Sequence, residues 1–148
     1  MLSGKVNFKK LDERAVIPSY GSEFSAGCDL YAVLDDDLAI KSFETVLVKT
    51  GFAMEIPVGY AGLIFARSGL ASKKGLAPAN KVGVVDADYR GEIMVALHNH
   101  SNEDRVVAPG ERIAQLVIMP FFKAMFEEVD ELDETVRGEG GFGSTGSM

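Results

Sequence analysis

The chain has no tryptophan, a single cysteine and only two histidines. One cysteine, Cys28, excludes an internal disulfide and points to a reducing, cytoplasmic setting. His98 and His100 stand two apart on an expected strand. With one cysteine as the only further soft ligand, they fall short of a zinc-type centre and read as surface or interface histidines. No apolar run approaches the roughly 20 residues of a membrane helix. The first residues carry no apolar core of the signal-peptide kind, so neither membrane nor secretory targeting is expected. Positive charge is scarce as well: 15 Lys and Arg face 22 Asp and Glu, a net charge of −7. That balance speaks against a broad surface tracking nucleic-acid phosphates. It leaves room for one small anion held by local arginines and backbone N–H groups.

What is present suits one globular domain. Apolar residues make up 47% of 148 residues, enough for a real core and too many for a disordered chain. No internal repeat is visible. Residues 52–56 alternate, with Phe52, Met54 and Ile56 on one face, and residues 92–97 do the same with Ile93, Val95 and Leu97. Further strands are expected at 6–11, 44–49, 62–66 and 112–119. Turn signals separate them at Tyr20-Gly21, Pro57-Val58-Gly59, Asn80-Lys81 and Ala108-Pro109-Gly110. This punctuation predicts an all-β sandwich or closed barrel. One short helix is expected over 68–74, capped by Ser68 and stopped by Gly75. Segment 112–119 is apolar on both faces: Ile113 and Val117 on one, Ala114, Leu116 and Ile118 on the other. It is therefore either central in the fold or turned toward another subunit, and the second is expected.

Past Lys123 the sequence becomes acidic, Glu127 through Glu134, and ends in the glycine-rich stretch Arg137-Gly138-Glu139-Gly140-Gly141-Phe142-Gly143. That stretch matches G-x-G-x-x-G in form. A dinucleotide site needs a strand before the motif and a helix after it, which this position does not provide. What remains is either a solvated tail or a pliable loop. In a loop, bare N–H groups can approach phosphate, Arg137 supplies a matched fork, and Phe142 supplies a face for a base.

Three other segments have the residue types for phosphate chemistry. Val84-Val85-Asp86-Ala87-Asp88-Tyr89-Arg90-Gly91 sets two carboxylates where a strand enters a turn. Asp and Gly are ordinary turn residues, but a carboxylate there can also take a proton from water. Ala66-Arg67-Ser68-Gly69-Leu70 runs from a strand into the expected helix, either as a plain capped terminus or as a phosphate seat. Asp29 is either a turn aspartate or a carboxylate ordering the water shell of Mg²⁺.

Taken together and in order, the motifs AGCDLYA from Ala26, ARSGLA from Ala66, GVVDADYRGEI from Gly83, GERIAQLVI from Gly110 and RGEGGFGSTG from Arg137 resemble those of the all-β, trimeric dUTPase family. They span nearly the whole chain. The resemblance implies a jelly-roll-like barrel with one short helix, residues 1–126, followed by a glycine-rich arm, residues 127–148. It further implies a homotrimer in which each arm closes a neighbour's site. It implies hydrolysis of dUTP to dUMP and pyrophosphate with Mg²⁺ as cofactor. By position, Asp86 corresponds to the general base that activates water toward the α-phosphorus, and Asp29 to the carboxylate meeting the metal through water. Gln115 corresponds to a polar partner near the α-phosphate, and Arg67, Ser68 and Gly69 to phosphate binders. Asn80, with the backbone at Val84, Val85 and Met94, corresponds to the uracil cradle, and Tyr89 to the residue packed on deoxyribose. Arg137, Phe142 and Gly143 correspond to the closing arm.

Three rivals are weighed. A dCTP deaminase on a related fold needs a glutamate base where this hairpin offers Asp86 and Asp88. A catalytically idle trimer that binds nucleotide or a regulatory protein would have no need of the full residue set. A carbohydrate-binding jelly roll would want exposed aromatics along a groove, and tryptophan is absent.

Overall fold

A computed structural model describes residues 3–142. Short alternating segments broken by turn residues form twelve strands. In chain order these are β1 (Asn7–Lys10), β2 (Ser19–Tyr20), β3 (Cys28–Tyr31), β4 (Leu38–Ile40), β5 (Thr45–Lys49) and β6 (Phe52–Glu55). There follow β7 (Tyr60–Phe65), β8 (Leu76–Pro78), β9 (Gly83–Val85), β10 (Met94–Asn99), β11 (Arg105–Val107) and β12 (Arg112–Pro120). Every pairing is antiparallel. The strands make four sheets: β1-β6, β5-β10-β8, β11-β4 and the five-stranded β2-β3-β12-β7-β9. The all-β expectation with one short helix therefore holds. The core lies between the sheets, where Phe52, Met54, Ile56, Ile93, Val95 and Leu97 are buried on the faces that their alternation selects. Each such side chain contributes about 1.5–3 kcal/mol when fully buried.

The helix spans 68–74, as its sequence signature has it, with Ser68 and Gly69 α-helical and a π-wound turn at Leu70–Lys74. Ser68 does not cap it: the position is already helical, and its carbonyl accepts the Ser72 hydroxyl at 2.6 Å. The stop signal is as expected. Gly75 sits at φ 69°, and its N–H reaches back to Ala71 and Leu70 carbonyls. A side chain there would face both positive-φ strain and the Ser101 Cβ, 2.8 Å from the added carbon.

The two apolar faces of β12 have an explanation within the chain. It is the middle strand of the large sheet, paired with β3 on one side and β7 on the other. A register shift between Arg112 and Ala114 turns Ile113 and Ala114 both inward. The opposite face stays partly open, with Met119 44% and Val84 64% exposed. Beyond Pro120 no further strand forms among the described residues, and 121–139 are exposed throughout. Phe122, Met125 and Phe126 are each at least 90% exposed. No helix among the described residues is long and apolar enough to cross a membrane. Cys28 is buried, its thiol donates to the Leu116 carbonyl at 3.3 Å, and burial pushes the thiol up from its ordinary range.

Candidate active site

The loop between β9 and β10 borders a pocket of ≈ 270 Å³ whose lining includes Asn80, Val84, Val85, Asp86, Tyr89 and Met94. The residues read from the sequence as the uracil cradle and the sugar contact thus meet in one place. Two features of the backbone open the pocket. β9 is an edge strand, paired only with β7, and an edge leaves N–H and C=O groups free for another partner. β8 pairs with β10 only from Leu97 onward, so the start of β10 at Met94 has no neighbour on that side.

The turn 86–89 is closed by the Tyr89 N–H donating to the Asp86 carbonyl at 3.2 Å. The turn that Asp and Gly lead one to expect is therefore present. Asp86, at the first turn position, lines the pocket, and Asp88 does not. Tyr89 donates its hydroxyl to the Glu92 carbonyl at 3.0 Å, and its ring lies directly against Gly91.

A second cluster forms where β3, β7 and β12 end together. Asp29 and Gln115 are register partners on β3 and β12. Arg67, just past β7, donates Nε to Asp29 Oδ1 at 2.8 Å, and Arg112 approaches Asp29 Oδ2 at 3.3 Å. Gln115 donates Nε2 to the Ala66 carbonyl at 2.8 Å and packs directly on Gly27, where any side chain would collide with it. Ser68, Gly69 and Leu70 follow Arg67, ahead of the first turn bond from Ala71 N–H to the Arg67 carbonyl. Donors in that position have no partner within the helix.

The two clusters do not meet within one chain. Val85 pairs with Gly62 near one end of β7, and Arg67 lies beyond the other end. At ~3.3 Å per residue that is roughly 17 Å along the sheet. Among the described residues the arm joins neither cluster: Arg137 donates only to the Gly140 carbonyl, at 2.7 Å, and Phe142 is fully exposed. Gly143 lies outside the described residues.

Two contributors escaped the reading of the sequence. Arg112 shares the Asp29 carboxylate, and Glu92 holds the loop that carries Tyr89. The signal for Arg112 was its place in the GERIAQLVI motif beside Gln115. Among the described residues no group of three or more His, Cys, Asp or Glu is placed to hold a metal. Single carboxylates such as Asp29 suit Mg²⁺ that keeps most of its shell as water and phosphate oxygen.

The dUTPase family model matches residues 13–146. A deoxyuridine 5'-triphosphate nucleotidohydrolase of Syntrophotalea carbinolica is 50% identical over 141 residues, covering 95% of this chain and 96% of that protein. One of Desulfitobacterium hafniense is 51% identical over 143 residues, covering 96% and 95%. Among solved structures, a Staphylococcus bacteriophage 80alpha dUTPase variant with dUpNHpp is similar with a TM-score of 0.88 at 28% identity, covering 98% of this chain and all of that one. A dUTPase from phage phi11 of S. aureus, described with a structural Mg(II) ion, shares the fold with a TM-score of 0.80 at 24% identity, over 88% of this chain and 100% of that one. Motif order, fold and near-full-length identity agree, and the chain belongs to the dUTPase family.

Proposed function

We propose that this chain hydrolyses dUTP to dUMP and pyrophosphate in sites shared between the subunits of a homotrimer. The observation that carries the reading is a pocket with open edge-strand backbone on its wall and the Asp86 carboxylate in its lining. Backbone groups at Val84, Val85 and Met94, with Asn80, suit the fixed donor and acceptor pattern of uracil. Cytosine would leave such groups unpaired, a far larger penalty than a methyl group meets in an apolar pocket. Thymine would be refused by close fit around C5, and a ribose hydroxyl by the Tyr89 ring.

Asp86 takes a proton from water as the oxygen attacks the α-phosphorus. The bond from that phosphorus to the bridging oxygen breaks, and pyrophosphate leaves with the oxygen. Arg67, the N–H groups of Ser68 and Gly69, and Gln115 neutralise and align the phosphates. Asp29 would meet Mg²⁺ through water, and the chemistry a bound Mg²⁺ supplies is charge neutralisation on the phosphate oxygens.

The placement of Asp86 and Arg67 at opposite ends of β7 supports a site that draws them from different chains. The open outer face of β12 and the exposed apolar residues from Phe121 onward suit contact with such neighbours. On this reading residues 1–126 form a jelly-roll-like barrel. Residues 127–148 form an arm that brings Arg137 and Phe142, with Gly143, over a neighbour's nucleotide. A reducing cytoplasm suits the buried thiol of Cys28.

Pyrophosphate release measured with dUTP, dCTP, dTTP and UTP tests the reading, with Mg²⁺ and with chelator. Turnover is expected for dUTP alone, suppressed by chelator, with no ammonia from dCTP. Equal turnover of dUTP and dCTP would overturn it. Gly27→Ala gives a narrower check on Gln115. The new methyl group collides with its side chain, which the Ala66 carbonyl holds from the other end. A displacement on the ångström scale predicts a loss in kcat/KM of about 10- to 100-fold, with trimer assembly unchanged by light scattering.

A further inference from the structure

Glu92 joins the pocket to the body of the protein through both its backbone and its side chain. Its carbonyl accepts the Tyr89 hydroxyl at 3.0 Å, and its Oε1 accepts the Gly51 N–H at 3.1 Å. Gly51 is a fixed point. It sits at φ +74°, and a carbon added to it would stand 3.1 Å from side-chain atoms of Asp12, Ala15 and Val33. Its carbonyl accepts the N–H groups of Leu11 and Asp12, at 2.8 and 3.0 Å. The residue after Glu92 is equally fixed, since Ile93 donates to the Phe52 carbonyl at 2.8 Å and its own carbonyl accepts the Thr50 N–H at 3.2 Å.

The loop before Glu92 is held differently. Asp86, Asp88, Tyr89 and Arg90 are exposed. The bonds there are mostly internal: Tyr89 N–H to the Asp86 carbonyl, and Arg90 Nη1 to the carbonyls of Ala87 and Tyr89. The tie to another element is a loose ion pair from Arg90 to Glu55 at 3.5 Å, between side chains that are both about half exposed. Such a pair holds weakly. The position of the tyrosine ring therefore depends on where the Glu92–Ile93 peptide sits; the Ile93 N–H holds it from one side on the Phe52 carbonyl, and the Glu92 carboxylate holds it from the other on Gly51.

We infer that Glu92 is a positioning residue: by gripping the Gly51 N–H it completes the hold on the peptide that receives the Tyr89 hydroxyl, and so sets how closely the ring fits a 2′-deoxy sugar. This rests on the reading of the pocket given above, in which Tyr89 packs on deoxyribose. A ribonucleotide differs by one hydroxyl, so a small outward drift of the ring is enough to admit it. Selectivity between dUTP and UTP is then the property that Glu92 controls, rather than proton transfer or phosphate binding.

The test is the ratio of kcat/KM for dUTP to that for UTP, in wild type, Glu92→Ala, Glu92→Gln and Tyr89→Phe. Loss of a hydrogen bond to a charged acceptor predicts that Glu92→Ala narrows the ratio by about tenfold. Glutamine keeps an oxygen that accepts the Gly51 N–H, so Glu92→Gln should restore the ratio to within about threefold of wild type. Tyr89→Phe, which keeps the ring and loses its tether, should narrow the ratio in the same direction. An unchanged ratio in Glu92→Ala, or a glutamine variant no better than alanine, overturns the inference. Should the alanine variant fail to assemble, an unchanged ratio in Tyr89→Phe overturns it equally. A wild-type enzyme that turned over dUTP and UTP alike would instead overturn the parent reading of the pocket.

Discussion

Asp86→Asn is expected to lower kcat by about 10³-fold, within the range spanned by a positioned general base, while nucleotide binding persists. Asparagine has nearly the shape of aspartate but cannot take a proton from water. The turn around it is closed by main-chain atoms, Tyr89 N–H to the Asp86 carbonyl, so the substitution leaves the loop in place. The side chain is exposed and makes no ion pair among the described residues, so stability should move by less than ~0.5 kcal/mol. Single-turnover pyrophosphate release gives the rate, and calorimetric titration with a non-hydrolysable analogue gives the affinity. A variant that kept kcat within a few fold of wild type would remove Asp86 from the chemistry. The matching change at Asp88, which lies outside the pocket lining, should leave turnover largely intact.

Ending the chain at residue 136 is expected to cut kcat/KM about 100-fold without changing assembly or melting temperature. The arm makes this separation possible. Residues 121–139 are all exposed, and the bonds near the deleted segment are local: Arg137 to the Gly140 carbonyl and Gly138 to Thr135. Among the described residues, nothing in the core depends on them. On the proposed reading, what is lost is the guanidinium of Arg137 over the phosphates and the Phe142 ring over the base. A closed lid excludes bulk water and strengthens the remaining electrostatics. Steady-state kinetics with light scattering and thermal melts checks both halves of the expectation.

The sequence made the longer strands legible because they are long enough to show a period. Residues 52–56 and 92–97 alternate over five or six positions, and their buried faces are the ones alternation selects. β2, β4, β8, β9 and β11 have two or three residues each, too few for any period to stand out, and β8 even contains Pro78. The extent of the helix was legible, but its cap was not: a hydroxyl before an apolar residue looks like a cap, whereas Ser68 is already inside the helix and its carbonyl accepts the Ser72 hydroxyl.

The site divides in the same way. Motif residues were legible by type and spacing. The choice of Asp86 over Asp88 is visible in the turn geometry, which lines the pocket with the first and not the second. Arg112 and Glu92 act across 83 and 41 residues of sequence, on Asp29 and Gly51, and no local pattern encodes such contacts. The separation of Asp86 from Arg67 along β7 was likewise hidden until strand pairing was known.

The most direct test of shared sites mixes two inactive proteins, Asp86→Asn with its arm intact and the chain ending at residue 136 with Asp86 intact. Co-expressed at equal levels and purified as mixed trimers, they should recover about a quarter of wild-type dUTP turnover, the statistical share of sites that draw Asp86 from one parent and the arm from the other. Turnover no higher than that of the separate parents would show that each arm serves the chain it belongs to, and would contradict the account.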